Sequence, residues 1–305
     1  MKTVFSIWKN ASFFKERSRE DFLAYNTKRG IFAVADGVGL WKDIEYAGKY
    51  PRSSGSGRLS RAFCGAFVHH FERNPDAKVI DGFRVGNAAA KKVNHNRSKY
   101  DVFRKHRGLF AATAAMARID GHILNWAHIC DAGVMIIDTH GKVKLQKDGC
   151  HHYFPWPNDV RGYESSTWTL FARTLVRNAI SKENKLLGYG VITGEPEAER
   201  YVESGTYRLS SRDVVVLYTD GFAPYLTLPE FRKKLTHLKS LSELREIVDN
   251  VVEKKTAPLR KALEGHHIDG RASVEVIEGR LRKILGKRFK EMEWVKEKSL
   301  IVVRI

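Results

Sequence analysis

A chain of 305 residues, 43% hydrophobic and 29% charged, has the length for a sizeable core and the balance of a globular protein. No apolar run approaches the roughly 20 residues that span a bilayer, and Met1 to Lys9 lacks the features of a secretion signal. The expected location is therefore the cytoplasm, with no membrane partner.

Lysine and arginine exceed aspartate and glutamate by 53 to 35, a net charge of +18 that attracts polyanions. The basic residues are dispersed and carry no interleaved aromatics. A solvated basic face is expected, with nucleic acid a possible contact rather than the primary partner. Cys64, Cys130 and Cys150 are too few and too scattered for a disulfide framework or a zinc cluster, and read as reduced structural thiols.

In chain order, a polar N-terminal segment leads to a strand over 31–35, then to a loop of turn formers through Ser53-Ser54-Gly55-Ser56-Gly57. Leu59, Phe63, Phe67 and Phe71 recur at helical spacing, and a second helix is expected over Val85–Asn96. Leu109–Ile119 and Ile123–Ile137 read as two long strands joined by an Asp120-Gly121 hairpin. Val143–Leu145 extends the sheet, while 150–185 carries aromatics such as Phe154 and Trp168 without a clear period. Tyr207–Leu209 and Val214–Tyr218 bracket Ser210–Asp213 as a second hairpin. Helical patterns fill 228–264 and 271–289, and the chain ends on a β-branched strand, Ser299–Ile305.

Strands open and close the chain, hairpins fill its middle and helices come in pairs. This is not a βαβ alternation, so the fold class is α+β with antiparallel sheets flanked by helices. No repeat or linker divides residues 1–305, which are expected to form one domain.

Two apolar strands run into Asp-Gly, at Asp36-Gly37 and at Asp220-Gly221. A carboxylate at a rigid strand end suits a hard cation, and glycine lets a backbone carbonyl approach it. Asp-Gly is also a frequent turn pair, and either reading is open for each pair alone. The paired histidines (His69-His70, His151-His152, His266-His267) lack the spacing of a helical zinc site, and no nucleophile elbow or cysteine phosphate loop is present.

The ordered set Ala33–Gly39, Ala127–Gly133 and Leu217–Phe222 resembles metal-dependent protein phosphatases of the 2C type. Arg19-Glu20-Asp21-Phe22 is similar to that family's opening acidic motif, Phe110–Ala115 to its small-residue strand and Ser299–Val303 to its closing strand. The resemblance implies a four-layer α-β-β-α sandwich, with two central antiparallel sheets and a two-metal centre at one end. It implies hydrolysis of phosphoserine or phosphothreonine in proteins by a metal-activated water, with two Mn²⁺ or Mg²⁺ ions and a weaker third. Asp36 would then bridge the ions, Gly37 offer its carbonyl, Asp220 bind from the other side, and Asp21 act mainly through water. Asp131 becomes a candidate for the third ion and Glu20 a further neighbour. Arg17 or Arg19 would grip the phosphate.

The chain departs from the family pattern at Lys296, where the closing motif has Asp. Glu297 beside it, or the more distant Asp269, is the candidate substitute. Leu40 and Cys130 replace glycines, and Val38 stands where some members carry His. The expected activity is that of a metal-dependent serine/threonine phosphatase acting on an acidic phosphoprotein. The alternatives are a catalytically weakened binding or regulatory module, motivated by Lys296, and a basic nucleic-acid-associated protein whose Asp-Gly pairs are only turns.

Overall fold

Alternating side chains in the central strands sort the molecule into layers. The protein's computed structural model describes residues 2–9, 19–38, 54–98, 108–149, 176–266 and 274–305. The strands are β1 (Thr3–Lys9), β2 (Phe22–Asn26), β3 (Ile31–Val38), β4 (Ala111–Asp120), β5 (Ile123–Ile129), β6 (Gly133–Ile137), β7 (Val143–Lys147), β8 (Ala179–Ile180), β9 (Leu186–Leu187), β10 (Glu203–Arg208), β11 (Val214–Tyr218) and β12 (Lys298–Arg304). Two five-stranded sheets, ordered β1-β12-β11-β6-β7 and β10-β5-β4-β3-β2, are antiparallel throughout.

Phe32 and Val34 of β3 face the other sheet, packing with Val134, Ile136, Val215, Leu217, Ile301 and Val303. Their neighbours Ile31, Ala33 and Ala35 face the opposite way, onto two helices. These are α1 (Gly55–Arg73) and α2 (Val79–Val93). Leu59, Phe63, Phe67 and Phe71 of α1 are fully buried, each contributing about 2 kcal/mol of apolar transfer. On the far side, Val216, Leu300 and Val302 pack against Phe231, Leu235, Leu244 and Val248. Those four come from the helices Pro229–Thr236 and Leu241–Leu263. The expected helix–sheet–sheet–helix layering is the observed one.

Three local expectations fail. The strand expected over Ile123–Ile137 breaks at Cys130–Ala132, where the chain leaves one sheet for the other; Cys130 takes a φ of 64°, in the left-handed region. The hairpin expected around Ser210–Asp213 is a turn between sheets. Asp213 N–H donates to the Ser210 carbonyl (3.0 Å) and Ser210 N–H to Asp213 Oδ2 (2.9 Å), so the turn forms. Yet β10 lies at the edge of one sheet beside β5, and β11 at the centre of the other. Burial is the reason: β10 alternates between half-buried and exposed positions, whereas β11 is buried on both faces. The second helix starts six residues earlier than expected, capped by Asp81, whose Oδ2 accepts from Lys78 N–H at 3.1 Å. Of the ambiguous stretch 150–185, residues 150–175 lie outside the described residues, as does Leu40. No described helix is long and apolar enough to cross a membrane.

Candidate metal centre

Strand register brings the candidate carboxylates to one end of the paired sheets. Phe22 pairs with Ala35, so Asp21 comes level with Asp36. Asp36 pairs with Thr113 and Gly37 with Ala112. In the other sheet Tyr218 pairs with both Leu300 and Gly133. That gathers Thr219-Asp220, the entry to β12 and Asp131-Ala132 at the same end. Asp36-Gly37 lies inside β3 rather than beyond it, and Asp220-Gly221 opens a short 3-10 turn, Asp220–Phe222.

Neither glycine serves a free turn. A Cβ on Gly37 would stand 2.8 Å from the Ser56 carbonyl carbon, and one on Gly221 would stand 2.2 Å from the Glu297 carbonyl oxygen. The missing side chains let α1 and the β12 entry close on the carboxylates. Gly221→Ala is expected to cost about 1–3 kcal/mol, as overpacking does. A lowered urea midpoint with an unchanged m-value would show it; an unchanged midpoint would contradict the close packing.

Asp21 and the backbone before it are held from several sides. Ser54 N–H, at the start of α1, donates to the Arg19 carbonyl (3.2 Å), and Gly37 N–H donates to the Glu20 carbonyl (3.2 Å). Glu297 Oε2 accepts from Glu20 N–H (3.0 Å), and its Oε1 accepts from Asp21 N–H (3.1 Å) and from Trp8 Nε1–H (2.6 Å). Thr219 Oγ1–H donates to Asp21 Oδ2 at 2.7 Å while accepting from Ser299 N–H at 2.9 Å. This hydroxyl ties both sheets to one carboxylate. Sequence reasoning did not single out Thr219; its signal was a hydroxyl following a run of buried apolar strand residues, where a polar group needs a partner.

The same geometry shows what holds Glu297, the candidate substitute for the closing Asp. Its two oxygens accept from three N–H donors, so it buttresses the acidic motif. Glu297→Ala leaves those donors without their acceptor. An expected loss of about 2 kcal/mol in unfolding free energy follows, readable by denaturant titration, and a loss below ~0.5 kcal/mol would contradict the buttress.

Burial and mutual repulsion dominate the electrostatics. Asp36 has its pKa raised well above the carboxylate range by burial, then by the charges of Asp21, Asp220 and Asp131. Asp21, 1% exposed, is pushed up to about 8 by burial and by Glu297. Asp131 is raised by burial and by Asp220. Asp21 Oδ1 and Asp131 Oδ1 are buried without a hydrogen-bond partner. Buried acceptors with no donor call for a cation. Lys296 supplies one on one side: its Nζ lies 2.7 Å from Asp220 Oδ2. Burial lowers the pKa of this ammonium, but Asp220, Asp36 and Asp131 more than reverse that and raise it.

Among the described residues, no group of three or more His, Cys, Asp or Glu side chains stands ready to hold one ion. Mg²⁺ does not require one, since it takes one or two carboxylates and completes its shell with water. The donor set is all oxygen and suits Mg²⁺ or Mn²⁺.

The remaining candidates divide. Arg19 lies beside the motif, its Nε donating to the Asp21 carbonyl (3.0 Å) and its guanidinium 4.5 Å from the Trp8 ring centroid and 5.2 Å from that of Phe22. Glu20 contributes its backbone to the brace. Arg17 and Asp269 lie outside the described residues.

A family model of protein phosphatase 2C matches residues 15–264. No curated protein sequence matches the chain. Among solved structures, the photosystem II phosphatase PBCP is similar at a TM-score of 0.56 and 17% identity, over 100% of this chain and 99% of that one. The Mycobacterium tuberculosis serine/threonine phosphatase PstP/Ppp is similar at 0.50 and 13%, over 100% and 98%. The PstP catalytic domain in complex with two manganese ions matches at 0.50 and 13%, over 99% and 97%. At these identities the likeness is one of fold.

Proposed function

Because this chain belongs to the protein phosphatase 2C family, we propose that it hydrolyses phosphoserine or phosphothreonine in proteins with the help of Mn²⁺ or Mg²⁺. The observation that carries the reading is the convergence of Asp21, Asp36, Asp131 and Asp220 at one sheet end, two of them with buried oxygens that no donor reaches. Asp21, Asp36 and Asp220 are the residues that would hold the ions, with the Gly37 carbonyl beside them and Asp131 as a further carboxylate. When bound, such ions supply Lewis acidity toward phosphate and lower the pKa of water.

The chain's own residues do the rest. Thr219 fixes Asp21 by a hydrogen bond to one oxygen and leaves the other directed inward. Arg19, stacked on Trp8 and Phe22 beside the acidic motif, is the guanidinium available in the described residues to orient a phosphate. Arg17 is the second candidate for that task. Val38 stands where some family members carry His, and we assign protonation of the leaving group to water at the site. The net charge of +18 favours acidic phosphoprotein substrates.

Hydrolysis of a phosphothreonine peptide and of an aryl phosphate, with Mn²⁺, with Mg²⁺ and with a chelator, tests the reading. Turnover that needs the metal supports it. Turnover indifferent to the chelator, or none on either substrate with either metal, would sink it.

A further inference from the structure

Lys296 is the one cation in contact with the carboxylate cluster among the described residues. Its Nζ is 2.7 Å from Asp220 Oδ2, and Asp36 and Asp131 are the next charges it feels. The backbone fixes this placement. Glu297 is anchored to Trp8 and to the Glu20 and Asp21 amides, and Lys298 is buried, its Nζ bonded to the Tyr225 hydroxyl (2.8 Å) and the Trp294 carbonyl (2.7 Å). With both following residues pinned, Lys296 has its stem rooted next to Asp220.

The two sides of the cluster therefore differ. Asp21 is buried with the half-buried Asp36 against it, and Asp21 has an oxygen without a partner. Asp220 already has a counter-charge. A divalent ion and an ammonium cannot both sit against one carboxylate without strong repulsion. The Lys296 side chain is half-exposed, so its stem can swing out into water and the pair can be broken at modest cost.

We propose that Lys296 is a tethered cation competing for Asp220, so that the protein holds one divalent ion firmly at Asp21–Asp36 and admits a second only by displacing the Lys296 ammonium. The proposal rests on the metal-dependent reading above and adds an asymmetry to it. It predicts a metal-concentration threshold set by a lysine rather than by a missing ligand.

The test is Mn²⁺ binding to the full chain by calorimetry, with electron paramagnetic resonance to distinguish single ions from coupled pairs. Wild type is expected to bind one ion, with a second at least about tenfold weaker. Lys296→Met, neutral and of similar length, narrows the gap; Lys296→Asp closes it to within about threefold, and Lys296→Arg preserves it. Metal-free melting of each variant confirms folding, and two variants of different chemistry guard against one that misfolds. Two ions of equal affinity in wild type overturn the proposal, as does a gap unmoved by Met, which with closure by Asp would mean a missing ligand and not a competing lysine. A phosphopeptide assay on the same samples separates it from the phosphatase reading. Absent turnover with the expected binding pattern removes only that reading; turnover with an unmoved gap removes only this one.

Discussion

Asp36→Asn removes metal-dependent turnover by at least about 100-fold, roughly 2.7 kcal/mol of transition-state stabilisation, and yet melts later than wild type when metal is absent. Both halves follow from one fact. Asp36 is half-buried beside Asp21 and repelled by Asp21, Asp220 and Asp131, so without a cation its charge opposes folding. Asparagine keeps the shape and removes that charge. On the proposed reading it also removes a hard anionic ligand from the position where the other carboxylates converge. Asp220→Asn is expected to lose turnover similarly while gaining no comparable stability. Its side chain is only partly buried and paired with a half-exposed Lys296, a pair worth about 0–1 kcal/mol. Steady-state rates with Mn²⁺ and melting curves in chelator, measured on both variants, check the contrast. An Asp36→Asn protein that turns over normally, or that melts earlier than wild type in chelator, contradicts it.

The legible part of this molecule was the part written in local pattern. Continuous apolar and β-branched runs gave β3, β11 and β12, helical spacing gave α1, and the order of the Asp-Gly strands pointed to one site. What escaped was non-local. Ser210–Asp213 has turn chemistry, but whether a turn folds back within a sheet or crosses to another depends on which strand finds two buried faces. Nor does being next to Lys296 in sequence say what Glu297 touches. Adjacent residues near a strand point to opposite sides, and the Glu297 carboxylate went to the Trp8 indole and two backbone amides. Asp36-Gly37 is no turn at all but lies inside β3, and Asp220-Gly221 does open a turn; at both, close approach calls for the glycine.

Metal-free stability should pass through a minimum near pH 7–8. Two buried groups set its arms. Asp21 titrates near 8 in the folded chain against 3.8 as its ordinary value. Between those values the folded state carries a proton that the unfolded state lacks, so stability falls as pH rises through that range. Asp36 and Asp131, also raised, act in the same direction. Lys298 acts in the opposite sense. Fully buried under Tyr225, it is lowered to about 7 from 10.5 by burial and by Lys9. Between those values the unfolded chain holds the extra proton, so stability rises with pH, and the full penalty of the buried ammonium applies below 7. Melting temperatures in chelator from about pH 5 to about pH 10 should trace both arms. Asp21→Asn flattens the falling arm and Lys298→Met the rising one. Saturating Mn²⁺ also erases the falling arm, because a bound cation favours the ionised carboxylates. A melting temperature that climbs steadily from pH 5 to 8 in chelator would falsify the account, for it would mean that these carboxylates are already ionised without repulsion and have no unmet need for a cation.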